Sequence, residues 1–198
     1  MICLPRREKP GPSLFPHLRI VSRCTVAVML LKSALLIIGM LSVASLSGNT
    51  GGERMLKFFH THTGESLQIV YFRQGDYDPG ALADIRVFLA DWRDGKQHDF
   101  DPRLMDILWQ IQQATGSTNT WEVISAYRSP ETNEMLRSKS SSVARKSQHL
   151  VGNAIDVRLG DLELEVLRDT AKKLKRGGVG YYAGSNFVHV DTGRVRYW

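Results

Sequence analysis

Ser147-Gln148-His149-Leu150-Val151-Gly152-Asn153-Ala154-Ile155-Asp156-Val157-Arg158-Leu159 is the stretch on which the reading of this chain turns. Side chains in a strand point alternately to opposite faces, so Ile155, Val157 and Leu159 oppose Ala154, Asp156 and Arg158. The apolar set belongs against a core, which presents Asp156 on the other face. His149 precedes the strand, and the flexible Gly152 between them lets it fold back towards that same face.

The segment Phe187-Val188-His189-Val190-Asp191 repeats the pattern, with Val188 and Val190 on one side and His189 and Asp191 on the other. If the two strands are neighbours, His149, Asp156 and His189 converge from a loop and two strands. Two imidazoles and a carboxylate, with a fourth position left for water, compose a catalytic rather than a structural zinc site. Spacing alone leaves open the plainer alternative, in which each histidine is a core or edge residue. The HExxH pattern is absent, which excludes a helix-borne site of the zincin kind.

Working outward, Met55–Phe59 and Ser66–Phe72 read as strands around the turn Thr63-Gly64-Glu65. Residues Pro79–Trp92 have helical spacing behind Asp78 as cap, with Leu82, Ile85, Phe88 and Leu89 on the inner face. Asp101-Pro102 opens a helix through Ala114 that turns Leu104, Leu108 and Ile111 inward. Trp121–Ala126 is a strand, and Ser129-Pro130 starts a short helix through Arg137. A helix over Leu162–Lys175 and strands near Gly180–Tyr182 and Phe187–Asp191 complete the series. Helices mix with strands without regular βαβ alternation, which predicts an α+β fold: one compact domain with a mainly antiparallel sheet and flanking helices. The tryptophans Trp92, Trp109 and Trp121 read as core. His60, His62 and His98 read as exposed turn and loop residues.

The 198-residue chain carries a net charge of +6, and that excess is local. Residues 1–47 hold Arg6, Arg7, Lys9, Arg19, Arg23 and Lys32 against the single acid Glu8, so the remainder is close to neutral. A nucleic-acid binder needs a basic face in its folded part, and none is implied. Basic residues ahead of the short apolar run Ala34–Leu46, followed by Ser47-Gly48-Asn49, have the form of an export signal. Started at Met29 the segment is a more typical signal, so Met29 is the expected true start. It is either cleaved or kept as a membrane anchor, and the expected location is the periplasm. Residues 48–198 form the expected catalytic domain. Both cysteines, Cys3 and Cys24, lie in the leader, which excludes disulfides and thiol chemistry from that domain.

Several ordered motifs together carry a resemblance. Ser147-x-His149-x-x-Gly152-x-Ala154-x-Asp156 is preceded by Ser125-Ala126-Tyr127-Arg128-Ser129. It is followed by Gly177-Gly178-Val179-Gly180-Tyr181-Tyr182 and by Phe187-Val188-His189-Val190-Asp191-Thr192-Gly193. From about His62 to Trp198 the chain resembles the M15 zinc peptidases, and more closely their periplasmic murein endopeptidase K branch, also described as domain of unknown function 882. The resemblance implies a hedgehog/DD-peptidase-like fold and a single zinc ion on His149, Asp156 and His189. It also implies hydrolysis of cross-links between peptidoglycan stem peptides, of the D-alanyl–diaminopimelate and the diaminopimelate–diaminopimelate type; a monomer is expected. A carboxypeptidase of the same family and a silent peptidoglycan-binding module are the rival readings.

Arg128 matches the family position that binds the substrate carbonyl or carboxylate; the plainer alternative is a surface arginine paired with Glu131 or Glu134. The general base is the weak point of the match. Relatives place a glutamate or a histidine where this chain has Asn186 and Phe187. Asp191 is then the candidate base, with orientation of His189 as its alternative role.

Overall fold

The computed structural model describes residues 52–198 apart from Ser142; the expectations for the leader fall outside these residues. The chain begins with an antiparallel hairpin, β1 (Arg54–His60) and β2 (Ser66–Arg73), turned at Gly64. A two-residue β3 (Asp76–Tyr77) then extends the edge. Helix α1 (Pro79–Phe88) is capped by Asp78, which accepts the amides of Gly80 and Ala81. Helix α2 (Pro102–Thr115) is capped by Asp101 and stopped by Gly116 in the left-handed conformation. Strand β4 (Trp121–Ser125) leads to α3 (Pro130–Lys139), where the Ser129 hydroxyl accepts the Thr132 amide. A 3-10 turn (Gln148–Val151) precedes β5 (Ala154–Leu159), and α4 (Leu164–Leu174) follows. The chain closes with β6 (Gly178–Tyr182), β7 (Phe187–Asp191) and β8 (Arg196–Tyr197).

The eight strands make one sheet in the order β3-β2-β1-β4-β5-β7-β6-β8. Among the described residues only β1–β4 and β6–β8 are parallel pairs, so the expectation of a mainly antiparallel α+β sheet holds. Val157, Val188, Val190 and Leu159 are buried with Leu104, Leu108, Ile111 and Leu167 of α2 and α4. Each of these aliphatic side chains contributes about 1.5–3 kcal/mol on burial. Helices therefore cover one face of β5 and β7, and the polar set on the opposite face is left to build a site.

Three sequence expectations need correction. The helix predicted to run to Trp92 ends at Phe88, because Asp91 commits its carboxylate to the amides of Arg93 (3.1 Å) and Ser129 (2.9 Å) and the chain turns there. Trp92 is accordingly not core: it is 38% exposed and stacks on His62. His60 is buried rather than exposed, since β1 continues to it and docks in parallel on Val123. Burial of its ring pushes the His60 pKa down. Strand β8 and the two residues of β3 are too short to show a period in the sequence.

Candidate metal centre

Strands β5 and β7 are adjacent and antiparallel, in a register that sets Asp156 directly opposite His189. The backbone pairing thus delivers two ligands to one face without a loop. The third comes from the 3-10 turn: Gly152 ends it in the left-handed conformation, at φ 65°, and swings the chain into β5 with His149 pointing back over the strand. Any larger residue at Gly152 would also collide with the backbone opposite, since its Cβ would lie 2.0 Å from the Asp99 carbonyl oxygen.

The three donor atoms form a tight triangle. His149 Nε2 lies 3.1 Å from His189 Nδ1 and 3.2 Å from Asp156 Oδ1, and His189 Nδ1 lies 2.8 Å from Asp156 Oδ1. All three residues are buried. A tetrahedral ion with bonds of about 2.0–2.1 Å needs ligand atoms about 3.3 Å apart, so this group could hold one with a small expansion.

The outer nitrogens decide what the inner ones present. His149 Nδ1 donates to the Ala126 carbonyl (2.6 Å), and a carbonyl can only accept. His189 Nε2 donates to Asp191 Oδ2 at 2.9 Å. With those protons fixed outward, two imidazole lone pairs and a carboxylate oxygen face one another. Such an arrangement needs a positive centre between them, and it is how metal-binding histidines are oriented.

The protonation tendencies say the same. Burial pushes His149 down, towards the neutral ring that a metal requires. Burial also works against charge on His189, but its hydrogen bonds to Asp156 and Asp191 outweigh this and raise it. Burial alone would raise Asp156; the two imidazoles reverse that and hold its carboxyl far below the usual range.

Arg128 stands beside this group. Its Nη2 donates to Asp156 Oδ2 (3.0 Å) and its Nε to Ser125 Oγ (3.2 Å), and the side chain is largely buried. It pairs with neither Glu131 nor Glu134, which instead hold Lys96 and Arg137. Asp156 thus offers one oxygen to the triangle and the other to Arg128.

Asp191 is fully buried. Its carboxylate accepts from His189, from the amides of Gly178 (3.0 Å) and Gly193 (2.9 Å), and from both terminal nitrogens of Arg196 (3.1 and 2.6 Å). These donors outweigh the burial that would otherwise raise it and keep its carboxyl well below the ordinary range. Arg196 and Trp198 did not emerge from the sequence. They sit two residues apart at the end of the chain. Trp198 lies over Gly180 with its ring centroid 5.2 Å from that of His189, and its Nε1 donates to the Tyr182 hydroxyl (2.8 Å). The available signal was the i, i+2 spacing of an arginine and a tryptophan, which is too common to single out.

Comparison with known proteins agrees with this geometry. Residues 48–198 match the family model described as peptidoglycan L,D-endopeptidase MepK, of the M15 peptidases. The protein named peptidoglycan L,D-endopeptidase MepK in Escherichia coli (strain K12) is 40% identical over 150 residues, covering 76% of this chain and 82% of that protein. A Haemophilus influenzae protein named "Probable peptidoglycan L,D-endopeptidase MepK" is 40% identical over 151 residues, covering 76% and 81%. The buried His149–Asp156–His189 group and the extent of these matches lead to one conclusion: the chain belongs to the MepK family of M15 peptidases.

Proposed function

We propose that this protein is an exported, zinc-dependent murein endopeptidase that hydrolyses peptide cross-links of peptidoglycan in the periplasm. The observation that carries the reading is the convergence of two imidazole lone pairs and a carboxylate oxygen within 3.2 Å, with their outer partners fixing the tautomers. The relatives' name refers to an L,D bond. Of the two cross-links expected, the diaminopimelate–diaminopimelate bond joins an L to a D centre, whereas the D-alanyl–diaminopimelate bond joins two D centres. The reading therefore favours the former.

When bound, zinc supplies Lewis acidity at the scissile carbonyl and lowers the pKa of water from about 15.7 towards about 7. The chain's own residues do the rest. His149, Asp156 and His189 hold the ion, and the Ala126 carbonyl and Asp191 keep the two rings aimed at it. Arg128, anchored through Nε and Nη2, offers positive charge to the peptide oxygen as it becomes anionic. Asp191 commits its lone pairs to five donor groups and has no exposed surface, which favours orientation of His189 over a role as general base.

The test is digestion of purified cross-linked muropeptides by the zinc-loaded protein, with and without chelator. Conversion of dimers to monomers that stops on zinc removal and in Asp156→Ala is expected. Cleavage that persists without metal, or trimming of terminal residues alone, would overturn the reading.

A further inference from the structure

Arg93 is a cation close to the site without an ion-pair partner among the described residues. Its guanidinium lies over the Trp92 ring, 4.1 Å from the centroid, and Trp92 in turn stacks on His62 at 4.1 Å and 16°. Among the described residues the Arg93 side chain makes no hydrogen bond either; its backbone amide alone is tied, to Asp91.

The position of this stack is built in. Asp91 Oδ2 accepts the Ser129 amide (2.9 Å), Asp94 Oδ2 accepts the Ser129 hydroxyl (2.6 Å), and the Tyr127 amide reaches the Leu89 carbonyl (3.3 Å). The loop bearing Arg93 is therefore fastened to the residues on either side of Arg128. At the other end, Thr61 is fastened to the Val123 carbonyl through its amide (3.0 Å) and its hydroxyl (2.9 Å), which fixes the neighbouring His62. Partial burial disfavours the Arg93 charge, and the Arg128 cation is close enough to repel it, with Asp91 offsetting part of both. Holding two cations together costs energy in the free protein and favours an anion beside both.

We propose that Arg93, stacked on Trp92, is a second carboxylate-binding residue that acts with Arg128 to hold a free carboxylate of the substrate next to the scissile bond. The proposal rests on the peptidoglycan-peptidase reading. In a diaminopimelate–diaminopimelate cross-link, the carbon attached to the scissile nitrogen carries a free carboxylate. A guanidinium already immobilised on an indole loses little freedom when it binds such a group, and its planar fork matches the two oxygens.

The test is calorimetric binding of a cross-linked stem-peptide dimer to the zinc-loaded protein, compared with the same dimer bearing a primary amide in place of that carboxylate. Wild type should bind the acid about 10-fold more tightly than the amide, in line with a charge-assisted hydrogen bond. Arg93→Gln should lose most of that preference, Arg128 alone supplying the remainder, with unchanged zinc affinity, and Arg93→Lys should keep more of it than Arg93→Gln. Retention of the full preference in Arg93→Gln would overturn the proposal, as would a wild type that does not distinguish acid from amide or binds neither. Selective binding of the acid without any hydrolysis would overturn the peptidase reading and leave the carboxylate site standing.

Discussion

Asp156 and His189 face each other across the β5–β7 ladder as directly paired residues, with Asp156 Oδ1 2.8 Å from His189 Nδ1. Two of the three donors are thus positioned by backbone hydrogen bonds, the stiffest part of the fold. A one-residue slip of β7 against β5 would send His189 to the face opposite Asp156. Four outcomes follow from this construction.

Asp191→Asn should weaken zinc binding by about 10- to 100-fold, the usual effect of losing an outer partner of a ligand. Arg196 would also lose its carboxylate partner. If Asp191 orients His189, activity returns when zinc is raised to saturation. Calorimetry of zinc binding beside turnover checks this, and loss of turnover with zinc fully bound would assign the base role instead.

Arg128→Gln should lower kcat by about 100- to 1000-fold, the range seen when a donor to a developing oxyanion is removed. Arg128→Lys should recover little of it, because a lysine cannot span both Ser125 Oγ and Asp156 Oδ2 as the guanidinium does. Steady-state kinetics at saturating zinc makes the measurement.

Gly177→Ala should destabilise the domain by about 3 kcal/mol or more, or prevent folding. A Cβ there would lie 1.7 Å from the Asp191 carbonyl oxygen, which is backbone and cannot swing aside. Gly64→Ala is the comparison: its surroundings are open, and only its φ of 74° is strained, for about 1 kcal/mol. Urea denaturation of both variants gives the contrast.

Stability should decline in alkali through the Asp106 cluster. Asp106 is buried in α2 and accepts from Arg54 (2.6 Å), Tyr71 (3.0 Å) and Tyr77 (2.7 Å). Burial and the hydrogen bond to Asp106 push the Tyr77 pKa up to about 12. Its folded value lies above the ordinary value of about 10, so its contribution is complete below pH ~10 and is lost as pH rises through the folded value. Tyr77→Phe should cost about 1 kcal/mol at neutral pH and reduce the loss above pH ~10. Denaturation curves between pH 7 and 12 test it.

Strand alternation in Ala154–Leu159 and Phe187–Asp191 was legible because one face is aliphatic and the other is not. Helix caps at Asp78, Asp101 and Ser129 were legible because capping is local chemistry. The end of α1 was not, since Asp91 terminates it by reaching Ser129, 38 residues away. The burial of His60 was not legible for the same kind of reason: it depends on β1 docking beside β4.

The sequence by itself determined the α+β pattern, the candidate ligand set and, through ordered motifs, the family. Only the tertiary structure decided that their two strands are neighbours, which nitrogen of each histidine turns inward, and that Asp191 is bound by both His189 and Arg196. Residue identity and local period are properties of neighbouring positions in the chain. Tautomer, burial and the second set of partners are set by contacts between positions far apart in it, and those exist only once the sheet has assembled.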